Sequence, residues 1–155
     1  MKLSTSGDIH RLFLKEDKDT MITRNNVRRI CLQSDVKCHL ARNTILIDAN
    51  DFISKINPYK IDKHFYTIPK LRCINGCVKE WNKQRQKGER YIHADEIRAF
   101  LKNDQTVFKY KFGNRWIVNY DQLEPHLKKI GKTECPYWSE FYRRINANKV
   151  HSKKN

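Results

Sequence analysis

Residues 22–56 and 92–127 carry one apolar pattern twice, and this recurrence constrains the fold more than any other feature of the chain. A shift of 70 positions places Ile22 on Ile92, Val27 on Ile97, Arg28 on Arg98, Ile30 on Phe100 and Cys31 on Leu101. One residue inserted at a turn then places Leu46 and Ile47 on Ile117 and Val118, Asp48 on Asn119, Phe52 on Leu123 and Ile56 on Leu127. The match runs through helix, hairpin, cap and helix, the signature of a degenerate tandem repeat.

The second copy, Tyr91–Ile130, is the more legible. Ile97, Phe100 and Leu101 fall at i, i+3 and i+4, which predicts a helix from about Asp95 to Lys102. Two runs rich in β-branched and aromatic residues follow, Val107–Phe112 and Arg115–Asn119, around the turn dipeptide Gly113-Asn114. A last helix is expected from Tyr120 to Ile130, with Pro125 inside it as a predicted kink or restart. In the first copy, Ser4–Asp8 offer N-caps for a helix over Gly7–Lys15, and Thr23 caps a second. VKCHL, ARN and TILI read as a hairpin, Asp48 caps a third helix, and Asn57-Pro58 stops it.

Ahead of the second copy, Ile74, Cys77, Val78 and Trp81 form an apolar stripe, with Pro69 suited to a first turn and Gly88 to a C-terminal stop. This helix takes the place of the first helix of the first copy. The fold expected is mostly α with small β-hairpins: tandem winged-helix units of helix, helix, hairpin and helix. Unit 1 covers residues 1–57, a basic helix plus unit 2 covers 58–132, and an aromatic helix with a basic tail covers 133–155. In that last segment Trp138, Phe141, Tyr142 and Ile145 share a face, a strap on a neighbouring core or a surface for a protein partner.

Charge narrows the function. The 155-residue chain has 32 basic and 17 acidic side chains, a net charge of +15. The excess is spread over every segment and is greatest over residues 58–90. A distributed basic surface attracts phosphate backbones, and counterion release supplies affinity without sequence readout. No apolar run is long enough to span a membrane, and no signal-peptide pattern opens the chain. Five scattered cysteines do not make a disulfide framework, which points to a reducing intracellular compartment, the nucleus in a eukaryote or the cytoplasm and nucleoid otherwise.

The helix of the first unit that would enter a major groove begins with Arg24, Asn25 and Asn26 and continues through Arg28 and Arg29. Arg and Asn make bidentate contacts to guanine and adenine edges. Its counterpart offers Arg98 and Lys102 behind the carboxylates Asp95 and Glu96, which oppose phosphate. The wings would contribute Lys37, Arg42 and Asn43 in one unit and Lys109, Lys111, Asn114 and Arg115 in the other, with Lys83 and Lys87 on the basic helix. Each alone is also what a solvated surface would carry.

Cys73 and Cys77, four apart, lack the second ligand pair of a structural zinc site, and the cysteines read instead as small buried hydrophobes. There is no Gly-rich phosphate loop and no nucleophile motif, so neither cofactor nor catalysis is expected.

The stretch DEIRAFLKND…FGNRWIVNYDQLEPHL resembles the winged helix of excisionase and MerR-type DNA-binding proteins. In those proteins a helix pair is followed by a Gly-Arg-containing wing, an apolar strand and a final helix. Gly113-Asn114-Arg115, Ile117-Val118 and Leu123…Leu127 are the matching positions. The resemblance implies DNA contact by the helix starting near Asp95 and by Arg115. The expectation is a site-selective duplex DNA-binding protein acting in transcription, chromatin or recombination. Two alternatives stand beside it: a protein-interaction adaptor in a nucleoprotein complex, and an RNA-binding protein.

Overall fold

The computed structural model describes residues 3–57 and 68–133. The first half begins with a two-residue strand, β1 (Leu3–Ser4), and the helix α1 (Ser6–Glu16). Thr5 caps α1 in a reciprocal box: its hydroxyl accepts the Asp8 N–H at 3.1 Å, and the Asp8 carboxylate accepts the Thr5 N–H at 3.2 Å. Helix α2 (Arg24–Gln33) starts at Thr23, whose hydroxyl accepts the Asn26 N–H. Strands β2 (Cys38–Ala41) and β3 (Thr44–Asp48) form the predicted hairpin, and Asp48 caps α3 (Ala49–Ile56).

The second half repeats the order: β4 (Leu71–Arg72), α4 (Ile74–Gln84), α5 (Ala94–Asn103), β5 (Lys109–Phe112), β6 (Arg115–Asn119) and α6 (Tyr120–Ile130). Cys73, His93 and Asn119 cap its helices where Thr5, Thr23 and Asp48 cap those of the first.

The architecture is mixed α/β, not mostly α with isolated hairpins. Each hairpin gains a third antiparallel strand from the start of its unit, giving the orders β1-β3-β2 and β4-β6-β5. Leu3 pairs with Asp48 in one sheet as Leu71 pairs with Asn119 in the other. The expected helical first turn at Pro69 is therefore replaced by a strand, because Leu71 and Arg72 pair with Asn119 and Val118. Gly88 serves a turn instead of a helix stop: α4 ends at Gln84, and Gly88 has φ +91°. Helix α6 runs through Pro125 unbroken. Pro125 and Asp121 are both exposed, so the carbonyl that loses its partner can be solvated.

Two apolar cores result. One holds Trp81, Ile97, Leu101, Val118, Leu123 and Leu127 of the second unit. The other centres on Phe13, Ile30, Ile47, Phe52 and Ile56 of the first, and also takes in Leu71, Tyr110 and Ile117 from the second sheet. Strand alternation explains this. Phe108, Tyr110 and Phe112 point to one face of the second sheet and join the core shared with unit 1, while Val118 faces the core of its own unit. Each large apolar side chain buried in this way contributes roughly 1.5–3 kcal/mol. The equivalent positions of the first sheet, Lys37, His39 and Ala41, are exposed.

Polar contacts lock the same junction. The Met21 N–H donates to the Leu71 carbonyl at 2.9 Å. Arg72, whose side chain is only 5% exposed, forks onto Asp17 of unit 1 at 2.5 and 3.0 Å and onto Glu80 of α4 at 3.1 and 3.2 Å. Fully buried Asn119 donates its amide to the Ile56 carbonyl and to Asn57 Oδ1, both at 2.8 Å.

Candidate nucleic-acid interface

In the second unit three elements converge on one open cleft of about 340 Å³. The N-terminal end of α4 supplies Cys73, Ile74 and Asn75, α5 supplies Arg98, the β5–β6 turn supplies Asn114, and the start of β6 supplies Arg115 and Trp116. Met21 of unit 1 closes one side. An adjoining cleft shares Met21, Cys73 and Asn75 and adds Lys79 and Lys83 from the next turns of α4. Basic side chains thus line both clefts, from the hairpin tip past α5 to α4, with the carboxylates of Asp19 and Glu80 also on the second. Asp95 tempers the charge, accepting from Arg98 Nη1 at 2.8 Å with both side chains about half exposed. Such a pair is worth at most about 1 kcal/mol and leaves the guanidinium able to exchange partners.

The hairpin tip is built by local rules. Gly113, with φ +56°, supplies the left-handed residue that a two-residue turn between twisted strands requires. Lys111 and Trp116 are cross-strand partners, and the ammonium sits 5.7 Å from the ring centroid. Lys109 is not at the tip. It starts β5 opposite Val118, is half-buried, and donates from Nζ to the Asp104 carbonyl at 2.5 Å. Lys102 is exposed in the last turn of α5, and Lys87 lies in the turn after α4.

In the first unit Asn25, Arg28 and Arg29 are exposed on α2, but Asn26 is not: it is 7% exposed and belongs to the buried side of the helix. Arg24 is exposed yet folded back, its guanidinium lying against Gly7 of α1, where a Cβ would meet Nη2 at 2.8 Å. Arg42 and Asn43 form the β2–β3 turn, and Arg42 holds φ +56° where the other unit has glycine. Lys37 sits at the far end of that hairpin, its backbone N–H held by Asp51 at 2.7 Å. Asn75 is not among the residues the sequence singles out, because a helix starting at Pro69 would place it mid-helix, whereas α4 starts at Ile74. Trp138, Phe141 and Tyr142 lie outside the described residues.

The cysteines divide. Cys31 and Cys77 are buried, and burial pushes the Cys31 thiol up to about 12 and raises the Cys77 thiol as well. Cys38 is exposed, and Cys73 is half-buried as the α4 cap, accepting the Gly76 N–H at 3.3 Å, so neither is the buried hydrophobe expected. Among the described residues no group of three or more His, Cys, Asp or Glu is placed to hold a metal ion, and no helix is long and apolar enough to cross a membrane. No known protein family matches this chain, and neither does any curated protein or solved structure.

Proposed function

We propose that the chain is a tandem winged-helix protein that binds duplex DNA site-selectively, without catalysis. The observation that carries the reading is the cleft at which α4, α5 and the hairpin tip bring Asn75, Arg98, Asn114 and Arg115 together, with Lys79 and Lys83 adjoining. A helix pair with a basic hairpin on the same side can seat one helix in a major groove while the wing holds the backbone or a minor groove. The roles follow from chemistry: Arg98, and Arg28 in the first unit, are base readers by bidentate contact, while Arg115, Lys79 and Lys83 clamp phosphates. Transcription, chromatin organisation and recombination all use such a reader.

Gel shifts on random duplex pools across about 50–200 mM salt test this, since several phosphate contacts should weaken binding by orders of magnitude over that range. Salt-insensitive or absent binding would refute it. A second reading, a docking surface for a protein of a nucleoprotein complex, is favoured by Leu32 and Leu40, 62% and 61% exposed on unit 1. Replacing both with Ser would abolish partner capture and leave DNA affinity unchanged if that reading holds.

A further inference from the structure

The two units correspond in strand register and in helix caps. Thr5 and Cys73 each cap an eleven-residue helix, so Lys15 in α1 and Lys83 in α4 are equivalent. Thr23 and His93 cap α2 and α5, which makes Arg28 equivalent to Arg98. Asn43 and Asn114 are the second residues of the two hairpin turns. All six are exposed.

Surrounding exposed positions have diverged: Asn25 stands against Asp95, Arg29 against Ala99, Arg42 against Gly113 and Thr44 against Arg115. Identity on the surface thus recurs at one position on each of the three elements that form the clefts of unit 2, where Arg98 and Asn114 line one and Lys83 the other.

The relative placement of the units is also fixed. Arg72 grips Asp17, Asn119 grips the end of α3, and one face of the second sheet forms part of the first core. Met21, two residues before the cap of α2, lines both clefts of unit 2, so the start of the first reading helix borders the second reading surface.

We infer that the units act as one fixed-geometry reader through equivalent contacts, Lys15, Arg28 and Asn43 in one and Lys83, Arg98 and Asn114 in the other. The DNA target then holds two related half-sites at a single spacing. This rests on the duplex-binding reading proposed above. A flexible tether would tolerate many spacings; a packed junction admits one.

The test uses the full chain and the duplexes it retains from a random pool. Half-sites are located by footprinting, and base pairs are then inserted or removed between them. A change of a few base pairs should lower affinity about 100-fold or more, because only one unit can engage at a time. Arg28→Lys and Arg98→Lys, which keep charge and fold, should each relax base preference about 5-fold to 100-fold in one half-site only.

Affinity independent of spacing, a footprint of a single half-site, or an Arg98→Lys variant that reads bases as the parent does would overturn the inference while leaving duplex binding standing. A pool from which nothing is retained overturns both.

Discussion

Asn119 and Asp48 occupy the same place in the two units, yet exchanging one for the other at Asn119 should be severely destabilising. Both cap a helix, and the side-chain oxygen of Asn119 accepts the Gln122 N–H at 3.2 Å as Asp48 accepts the Asp51 N–H. Backbone groups on both sides fix the amide orientation, with an N–H facing its oxygen and the Ile56 carbonyl facing its nitrogen. Asn119→Asp keeps shape and cap but turns a donor into a second carboxylate oxygen. That oxygen would face the Ile56 carbonyl and Asn57 Oδ1, both now 2.8 Å from the amide nitrogen, in a site with no solvent exposure. Two hydrogen bonds are lost at about 1 kcal/mol each, and burying a carboxylate oxygen against acceptors costs about 1–3 kcal/mol more.

The expected loss is about 3–5 kcal/mol at pH 7, read by urea denaturation against the parent and Asn119→Ala. The pH dependence has a definite sign. Burial against two acceptors raises the folded pKa of the new carboxyl above its unfolded value of about 4. Protonation restores one donor, so the deficit should shrink as pH falls toward that value and be largest above the folded pKa. A deficit under about 1 kcal/mol, or one unchanged between pH 7 and pH 4.5, would refute the assignment of that amide as the tie between units.

Arg72→Ala should cost about 3 kcal/mol, because it leaves the Asp17 and Glu80 carboxylates stranded at 12% and 19% exposure. Adding Asp17→Asn and Glu80→Gln should recover a good part of that in thermal melts, and no recovery would count against the mechanism. Burial alone would push the Asp17 carboxyl up, but Arg72, joined by the Asp19 N–H and the Lys70 charge, holds the carboxyl below its ordinary 3.8. The stability that this pair contributes is therefore present above pH 4 and lost as pH falls through the folded value, so Asp17→Asn should flatten the acid limb of a stability–pH curve. Arg42→Gly should stabilise the protein by about 1 kcal/mol, since it relieves a left-handed backbone that only glycine adopts freely. If Arg42 is held there to contact DNA, the same change should weaken duplex binding in gel shifts; stronger binding would refute that role.

Elements fixed by local chemistry were readable from the residues. Thr23, Asp48 and Asn119 stand one residue before α2, α3 and α6, as their capping side chains demand. Strands β1 and β4 were not readable, because two residues have no periodicity and their existence depends on partners about 45 residues downstream. The false helix start at Pro69 is the same error, a proline that suits a first turn but precedes a strand. The run Val107–Phe112 is legible as a strand, but only the assembled fold shows that the core Tyr110 reaches belongs partly to the other unit. The site was legible as a set of residue types, not as a set of directions. Asn26 and Lys109 suit a groove by chemistry but are turned inward by helix phase and strand face.

The shared wall between the units changes what the intervening peptide is for. Phe108, Tyr110, Phe112, Leu71 and Ile117 would face water if residues 68–133 were made alone, so that fragment should be insoluble or aggregation-prone. A chain cut once between Asn57 and Ile68 should instead stay whole, its halves retained by the wall, the Arg72 fork and the Asn119 amide. Separately produced halves should find each other when refolded together, which makes the molecule a natural pair for fragment complementation.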